Sequence, residues 1–286
     1  MGKIAFVFAG QGSQKPGMGK DLYESSPVVK HIFDMAGDKI KELCFNSTQE
    51  ELNKTENAQP CIYTLGLAMA ANLNNQNIKP AAVAGFSVGE VAAVVYAGMM
   101  DFSTGLRFVK FRARCMANAA NEISGGMVAV LKLKAKQVEE ICKQTGAWAV
   151  NYNCDTQTVV AYEQSDLEEL QERVKSAGGR CVKLATSGAF HSPLMNMAKL
   201  EVEEYLKSIE FKNENIPVFS NITGEPYKDN KKDLLASQIN NPVLWQKTIE
   251  NMLKLDYDTF YEVGSGEVLT GLIKKIRNEN NGGKET

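Results

Sequence analysis

Ala81-Ala82-Val83-Ala84-Gly85-Phe86-Ser87-Val88-Gly89-Glu90 reads as a short apolar strand running into Gly-x-Ser-x-Gly, and an apolar, helix-like run from Val91 to Met100 follows. Strand, Gly-x-Ser-x-Gly, helix is the pattern of a nucleophile elbow. Only glycine fits beside the serine in so tight a turn, so the Ser87 hydroxyl is expected to project at the top of a sheet. The Val88 N–H then sits at a helix N-terminus, where it can stabilise an oxyanion. The alternative reading is a glycine-rich turn with a solvent-facing serine, because five-residue motifs recur by chance.

A serine hydroxyl is a poor nucleophile near neutral pH unless a base takes its proton, and histidine is the usual choice. The chain has only two. His31, in Pro27-Val28-Val29-Lys30-His31-Ile32-Phe33, reads as an ordinary residue of an amphipathic helix. His191, in Ser187-Gly188-Ala189-Phe190-His191-Ser192-Pro193, lies on a loop between a strand and a helix, where a rigid scaffold can aim it. Loop histidines are also often structural. With a serine candidate in the chain, His191 is the expected base.

Composition narrows the classes. The 286 residues suffice for one large domain or a large and a small one, and 44% hydrophobic residues can fill a core. A net charge of −2 gives no electrostatic footprint for nucleic acid. No apolar run reaches transmembrane length, so no membrane association is expected. Lys3-Ile4-Ala5-Phe6-Val7-Phe8 reads as a first buried strand and not as a signal peptide. The six cysteines include no C-x-x-C pair and are expected as free thiols in a reducing cytoplasm. Two distant histidines make a histidine-based zinc site improbable, and no metal is expected. The polar tail Asn278 to Thr286 reads as disordered.

The first part of the chain alternates strands and helices, which implies a parallel sheet with helices on both faces. Residues 125–187 change character. Strand Met127 to Leu131, helix Ala135 to Gln144, strands Ala147 to Tyr152 and Thr158 to Tyr162, helix Leu167 to Ala177 and strand Cys181 to Ala185 follow one another. That order, β-α-β-β-α-β, is the ferredoxin-like pattern. After it the α/β alternation resumes, with a last helix from Val268 to Ile276. The fold class is therefore α/β: a core with a parallel sheet plus an inserted ferredoxin-like (βαββαβ) subdomain. The boundaries are 1–124 and 192–286 for a discontinuous catalytic body, and 125–191 for the insert. Ser87 belongs to the body and His191 lies where the insert rejoins it, so the site is expected in the cleft between them.

On the helix that starts near Thr104, spacing separates the basic residues. Arg107, Lys110 and Arg114 share a polar stripe with Asn121, whereas Arg112 falls with Phe108, Val109, Cys115, Met116 and Ala119 on the apolar face. A charge there needs a partner. It belongs either to a bound carboxylate or to a buried structural ion pair.

Five motifs occur in one order: Phe8-Ala9-Gly10-Gln11-Gly12-Ser13-Gln14, the elbow at Gly85 to Glu90, Gly188-Ala189-Phe190-His191-Ser192, Gln238 to Trp245, and Glu262 to Leu272. Together they resemble the malonyl-CoA:acyl carrier protein transacylases of fatty-acid synthesis, over nearly the whole chain. The resemblance implies an α/β-hydrolase-like core and a ping-pong transfer. Ser87, assisted by His191, takes malonyl from malonyl-CoA as an ester, and the phosphopantetheine thiol of acyl carrier protein then removes it. It implies an oxyanion hole from the amides of Gln11 and Val88, and a main-chain carbonyl near Gln238 that orients His191. It implies that Arg112 binds the malonyl carboxylate, that Phe86 and Phe190 flank the acyl pocket, and that the enzyme is a monomer without cofactor beyond malonyl-CoA as substrate. Gly10-Gln11-Gly12 lacks the Gly-Lys-Ser/Thr ending of a nucleotide loop.

One departure stands out. The family usually has His before the nucleophile, and this chain has Phe86. A bulky Phe190 in Ala189-Phe190-His191-Ser192 implies malonyl over methylmalonyl, although discrimination over one methyl is modest. Two other functions fit the same residues. One is a free-standing acyltransferase of a polyketide or malonate pathway. The other is a serine esterase, which would want an acid between Ser and His in chain order. Carrier proteins are usually acidic, so Lys132, Lys134, Lys136, Lys274, Lys275 and Arg277 are candidates for a docking patch, or else scattered solubilising charge.

Overall fold

The structure, a computed structural model, describes residues 2–186 and 188–282. Ser187, within the expected insert and the segment before His191, and residues 283–286 of the tail lie outside the described residues. Four strands form a wholly parallel sheet in the order β7 (Val218–Phe219), β2 (Ala82–Gly85), β1 (Lys3–Phe8), β8 (Tyr257–Val263). Side chains alternate across β1, and both faces are apolar. Phe6 and Phe8 enter one core with Val83 and the helices Pro27–Ala36, Thr55–Asn75, Val88–Tyr96 and Phe102–Glu122. Ala5 and Val7 enter another with Ala82, Ala84 and helices Trp245–Lys254 and Val268–Gly282. Such two-faced burial is what a parallel sheet requires.

Register decides where the loops emerge. Phe8 pairs with both Gly85 and Val263, so the carboxyl ends of β1, β2 and β8 lie level. The segments after them, which carry Gln11, Ser87 and Gly264, leave the same edge of the sheet. Carboxyl ends of parallel strands are the usual ligand-binding edge.

The second sheet is antiparallel, in the order β4 (Trp148–Cys154), β5 (Gln157–Glu163), β3 (Gly125–Leu131), β6 (Arg180–Lys183). Helices Ala135–Thr145 and Leu167–Ser176 cover one face, with a core that includes Val128, Val130, Ile141, Val160 and Leu170. Met127, Ala129, Val159 and Ala161, on the opposite face, join the main core. The tie to the first body is explicit. Tyr152 N–H donates to Val243 O at 2.9 Å, and Val243 N–H to Val150 O at 2.8 Å.

Three expectations need correction. The last helix does not stop at Ile276; it runs to Gly282, so Asn278 to Gly282 are helical. The strand expected from Cys181 to Ala185 is Arg180–Lys183, and in the main sheet β7 begins only at Val218. Pro217 lacks the N–H for a regular ladder, though its carbonyl accepts from Val83 at 2.9 Å.

Candidate active site

Ser87 stands between β2 and the helix Val88–Tyr96 with φ 53° and ψ −112°, a strained conformation for a non-glycine residue. The glycines around it are steric necessities. A Cβ on Gly85 would lie 2.0 Å from the Gly89 carbonyl, one on Gly89 would lie 2.2 Å from Phe8 O, and one on Gly10 would lie 2.6 Å from Phe86 O. The loop after β1 thus passes directly against the elbow backbone. Asn221 holds the turn from the next strand: its Oδ1 accepts from Ser87 N at 2.8 Å, and its Nδ2 donates to Gly85 O at 2.6 Å.

His191, 104 residues further along, brings Nε2 to 2.8 Å from Ser87 Oγ. Its Nδ1 lies 2.8 Å from Gln238 O, and its own N–H donates to Ile239 O at 3.0 Å. A main-chain carbonyl only accepts, so the proton sits on Nδ1 and Nε2 is left as an acceptor for the serine hydroxyl. His191 has φ 63°, a second strained residue beside the first. Burial, and then the positive charge of Arg112, push its pKa down to about 4, so the imidazole is neutral at pH 7.

Arg112 is fully buried, as the helix spacing predicts. Its Nη1 donates to Gln59 Oε1 at 2.6 Å, and its Nη2 to Gln238 Oε1 at 2.7 Å and Ser87 Oγ at 3.2 Å. The buried ion pair weighed from the sequence is not formed: among the described residues no carboxylate lies within ion-pair distance, and Nε has no partner. Burial lowers its pKa to about 10, with the charge of Glu90 opposing, so the cation persists. A guanidinium served only by neutral acceptors suits an incoming carboxylate.

The remaining expected residues fall in two groups. Gln11 and Phe86 line a cavity of about 530 Å³ between the two sheets, together with Asn151, Asn153 and Lys183. The amides of Gln11 and Val88 donate to no acceptor among the described residues. Phe86 packs edge-on against Trp245, ring centroids 5.6 Å apart. Phe190 is different: it is buried in the main core and is not among the residues lining that cavity. His31 is exposed.

Four residues escaped the sequence reading: Gln59, Glu90, Asn221 and Tyr227. Glu90 stood within the quoted motif. It is a charge inside a helix buried from Val88 to Val95, the same signal that singled out Arg112. Its carboxylate accepts from Gln238 Nε2 at 2.6 Å, Asn221 N at 3.2 Å and the Tyr227 hydroxyl. Burial raises its pKa to about 7 against those donors. Gln59, beside Pro60 in an apolar helix, carried no such mark.

A hydroxyl touching a neutral base and a buried cation is equipped for nucleophilic attack on an acyl carbon whose substituent is anionic. Among the described residues no group of three or more His, Cys, Asp or Glu side chains stands together to hold a metal. No helix there is long and apolar enough to cross a membrane.

Comparison with known proteins gives a consistent picture. The family model described as "Acyl transferase domain" matches residues 5–286. The chain is 36% identical over 288 residues to the malonyl CoA-acyl carrier protein transacylase of Bacillus subtilis, covering 96% of this chain and 91% of that protein. The solved malonyl CoA-acyl carrier protein transacylase of Clostridium perfringens superposes with a TM-score of 0.93 at 38% identity, over 96% of this chain and 90% of that one. The malonyl-transacylase PlMCAT, solved in complex with the holo type II polyketide acyl-carrier protein AntF, gives a TM-score of 0.93 at 33% identity, over 96% and 93%. With a parallel α/β core, a serine elbow and a likeness that spans almost its whole length, this chain belongs to the acyltransferase family.

Proposed function

We propose that this enzyme transfers the malonyl group of malonyl-CoA to the phosphopantetheine thiol of an acyl carrier protein, through a malonyl ester on Ser87. The observation that carries the reading is the pair of contacts at one oxygen: Ser87 Oγ meets the acceptor nitrogen of His191 at 2.8 Å and the free cation of Arg112 at 3.2 Å.

In this scheme His191 Nε2 takes the hydroxyl proton as Ser87 Oγ bonds to the thioester carbon. The amides of Gln11 and Val88 hold the resulting oxyanion. Collapse breaks the carbon–sulfur bond, and the proton on Nε2 passes to the departing CoA sulfur. The carrier thiol then gives its proton to Nε2 and attacks the ester carbon; the bond from that carbon to Ser87 Oγ breaks, and Nε2 returns the proton to Oγ, restoring the serine hydroxyl. Gln238 O keeps the imidazole proton on Nδ1 throughout, so no acid is needed behind the histidine. Arg112 grips the malonyl carboxylate, and Phe190, next to His191, excludes an α-methyl branch. No cofactor takes part.

The cavity between the two sheets suits the thioester arm, because buried Asn151 and Asn153 line it with unpartnered side-chain oxygens that can accept amide N–H groups. The division into a body of 1–124 and 192–286 with an α/β-hydrolase-like elbow, and a ferredoxin-like insert of 125–191, accounts for a site at their seam. A monomer is the state the resemblance implies, and the free thiols suit a reducing cytoplasm. Lys275, which reaches Gln157 on the cavity rim, is a candidate docking contact for an acidic carrier. Fatty-acid synthesis is the proposed pathway; the polyketide relative makes a polyketide carrier the second reading. An esterase is disfavoured by the carbonyl behind His191 and by the unpaired guanidinium.

Intact mass after mixing with malonyl-CoA tests the scheme. Wild type should gain one malonyl and Ser87→Ala none. A wild-type adduct that hydrolyses rapidly without carrier protein would instead indicate an esterase. A panel of fatty-acid and polyketide carriers separates the pathways by transfer rate.

A further inference from the structure

We propose that Glu90 is a positioning residue. It fixes which end of the Gln238 carboxamide faces Arg112, and so sets the preference of the site for a carboxylate-bearing acyl group. The inference rests on the malonyl-transfer reading.

Gln238 is the junction of the site. Its main-chain carbonyl receives His191 Nδ1, and its side-chain oxygen receives Arg112 Nη2 at 2.7 Å. Its Nε2 donates to Glu90 Oε2 at 2.6 Å and to Ser87 O at 2.8 Å. A guanidinium has only donors, and both Glu90 oxygens are engaged here as acceptors. Each therefore selects one end of the amide. Turned over, Gln238 would set NH₂ against guanidinium N–H and oxygen against two acceptors. Arg112 would then keep Gln59 on Nη1 but lose the anchor on Nη2, the nitrogen that contacts the serine.

Glu90 is itself held. The Tyr227 hydroxyl and Asn221 N–H both donate to Oε1, and the same Asn221 grips the Ser87 elbow through its side chain. Three parts of the chain thus meet at one fully buried carboxylate: the elbow helix, the segment after β7 that carries both Asn221 and Tyr227, and the turn that holds Gln238. The titratable and charged groups around it are Tyr227 and Arg112. None of these contacts reaches the reacting carbon, so the role is to orient.

Loading of Ser87 from malonyl-CoA and from acetyl-CoA, followed by quench and intact mass, tests this in Glu90→Gln, which can no longer offer two charged acceptor oxygens. Malonyl loading should fall by about tenfold while acetyl loading changes by less than about threefold. Equal losses for both acyl groups would mean a purely structural role, and no loss would mean that Ser87 O alone orients Gln238; either result overturns the inference. If Glu90→Gln does not fold, Tyr227→Phe releases one anchor of the carboxylate. A malonyl to acetyl ratio reduced in that variant supports the inference, and an unchanged ratio overturns it. If wild type itself takes no malonyl, the transfer reading fails, and that outcome is separate.

Discussion

Arg112 Nη2 lies 3.2 Å from Ser87 Oγ, although the two residues sit on different helical segments and no carboxylate pairs with the guanidinium among the described residues. The serine oxygen donates its hydrogen to His191 and accepts one from Arg112. The cation therefore stabilises developing negative charge on that oxygen, at the cost of a less basic imidazole beside it.

Arg112→Ala separates the two effects. Malonyl loading should fall by roughly a hundredfold, since a buried carboxylate loses a bidentate, charge-assisted partner. Acetyl loading should persist, and its acid limb should move up from about 4 toward the ordinary histidine value as the neighbouring charge disappears. Loading rates against pH for both acyl-CoAs check this. Normal malonyl loading in the variant would remove Arg112 from the clamp.

Stability against pH carries a second signature. His191 binds its proton more weakly when folded, at about 4 against 6.5, so its contribution to stability is present above 6.5 and is lost as pH falls toward 4. Glu90 runs the other way. Folded, it titrates near 7 against 4.5, so its burial costs stability as pH rises from 4.5 to 7. Each gap corresponds to about 3 kcal/mol, and the two oppose over most of the window. Relative to wild type, Glu90→Gln should therefore gain stability by about that amount between pH 4.5 and 7. Urea unfolding of both proteins at four pH values measures the difference, and a constant difference would contradict it.

The glycines of the elbow make a third prediction. Gly85→Ala places a methyl 2.0 Å from the Gly89 carbonyl, in backbone that cannot yield without moving Ser87. A loss of about 3 kcal/mol is expected, with Ser87 loading reduced as well. Gly17→Ala offers the contrast. Its Cβ would meet nothing within 4 Å, but its φ of +81° strains any side chain, so a smaller loss of about 1 kcal/mol is expected. Denaturation midpoints of the two variants rank them, and equal losses would refute the steric account of the elbow.

Much of the candidate site was legible in the sequence. Ser87 was marked by its glycines, because no other residue tolerates that turn, and Arg112 by its place on an apolar helix face. His191 followed by elimination, since the chain offers a serine only two imidazoles. Gln238 came from resemblance alone, and its side chain does more than that resemblance implied: it joins Glu90 to Arg112. Asn221 and Tyr227 were not legible, because their role is to satisfy backbone and carboxylate groups that lie 134 and 137 residues away. Phe190, read as a pocket wall from resemblance alone, is buried in the main core next to His191.

The sequence by itself determined the local features: which segments are strands and helices, which turn needs glycine, and which charge must be buried. Those follow from the two and 3.6 residue periods and from steric limits that act within a few residues. Tertiary structure alone decided that β1, β2 and β8 end level, that the second sheet is sewn to the loop carrying Gln238, and that Glu90 faces that glutamine. Such pairings depend on register and on the mutual satisfaction of buried polar groups far apart in the chain, for which no local pattern exists.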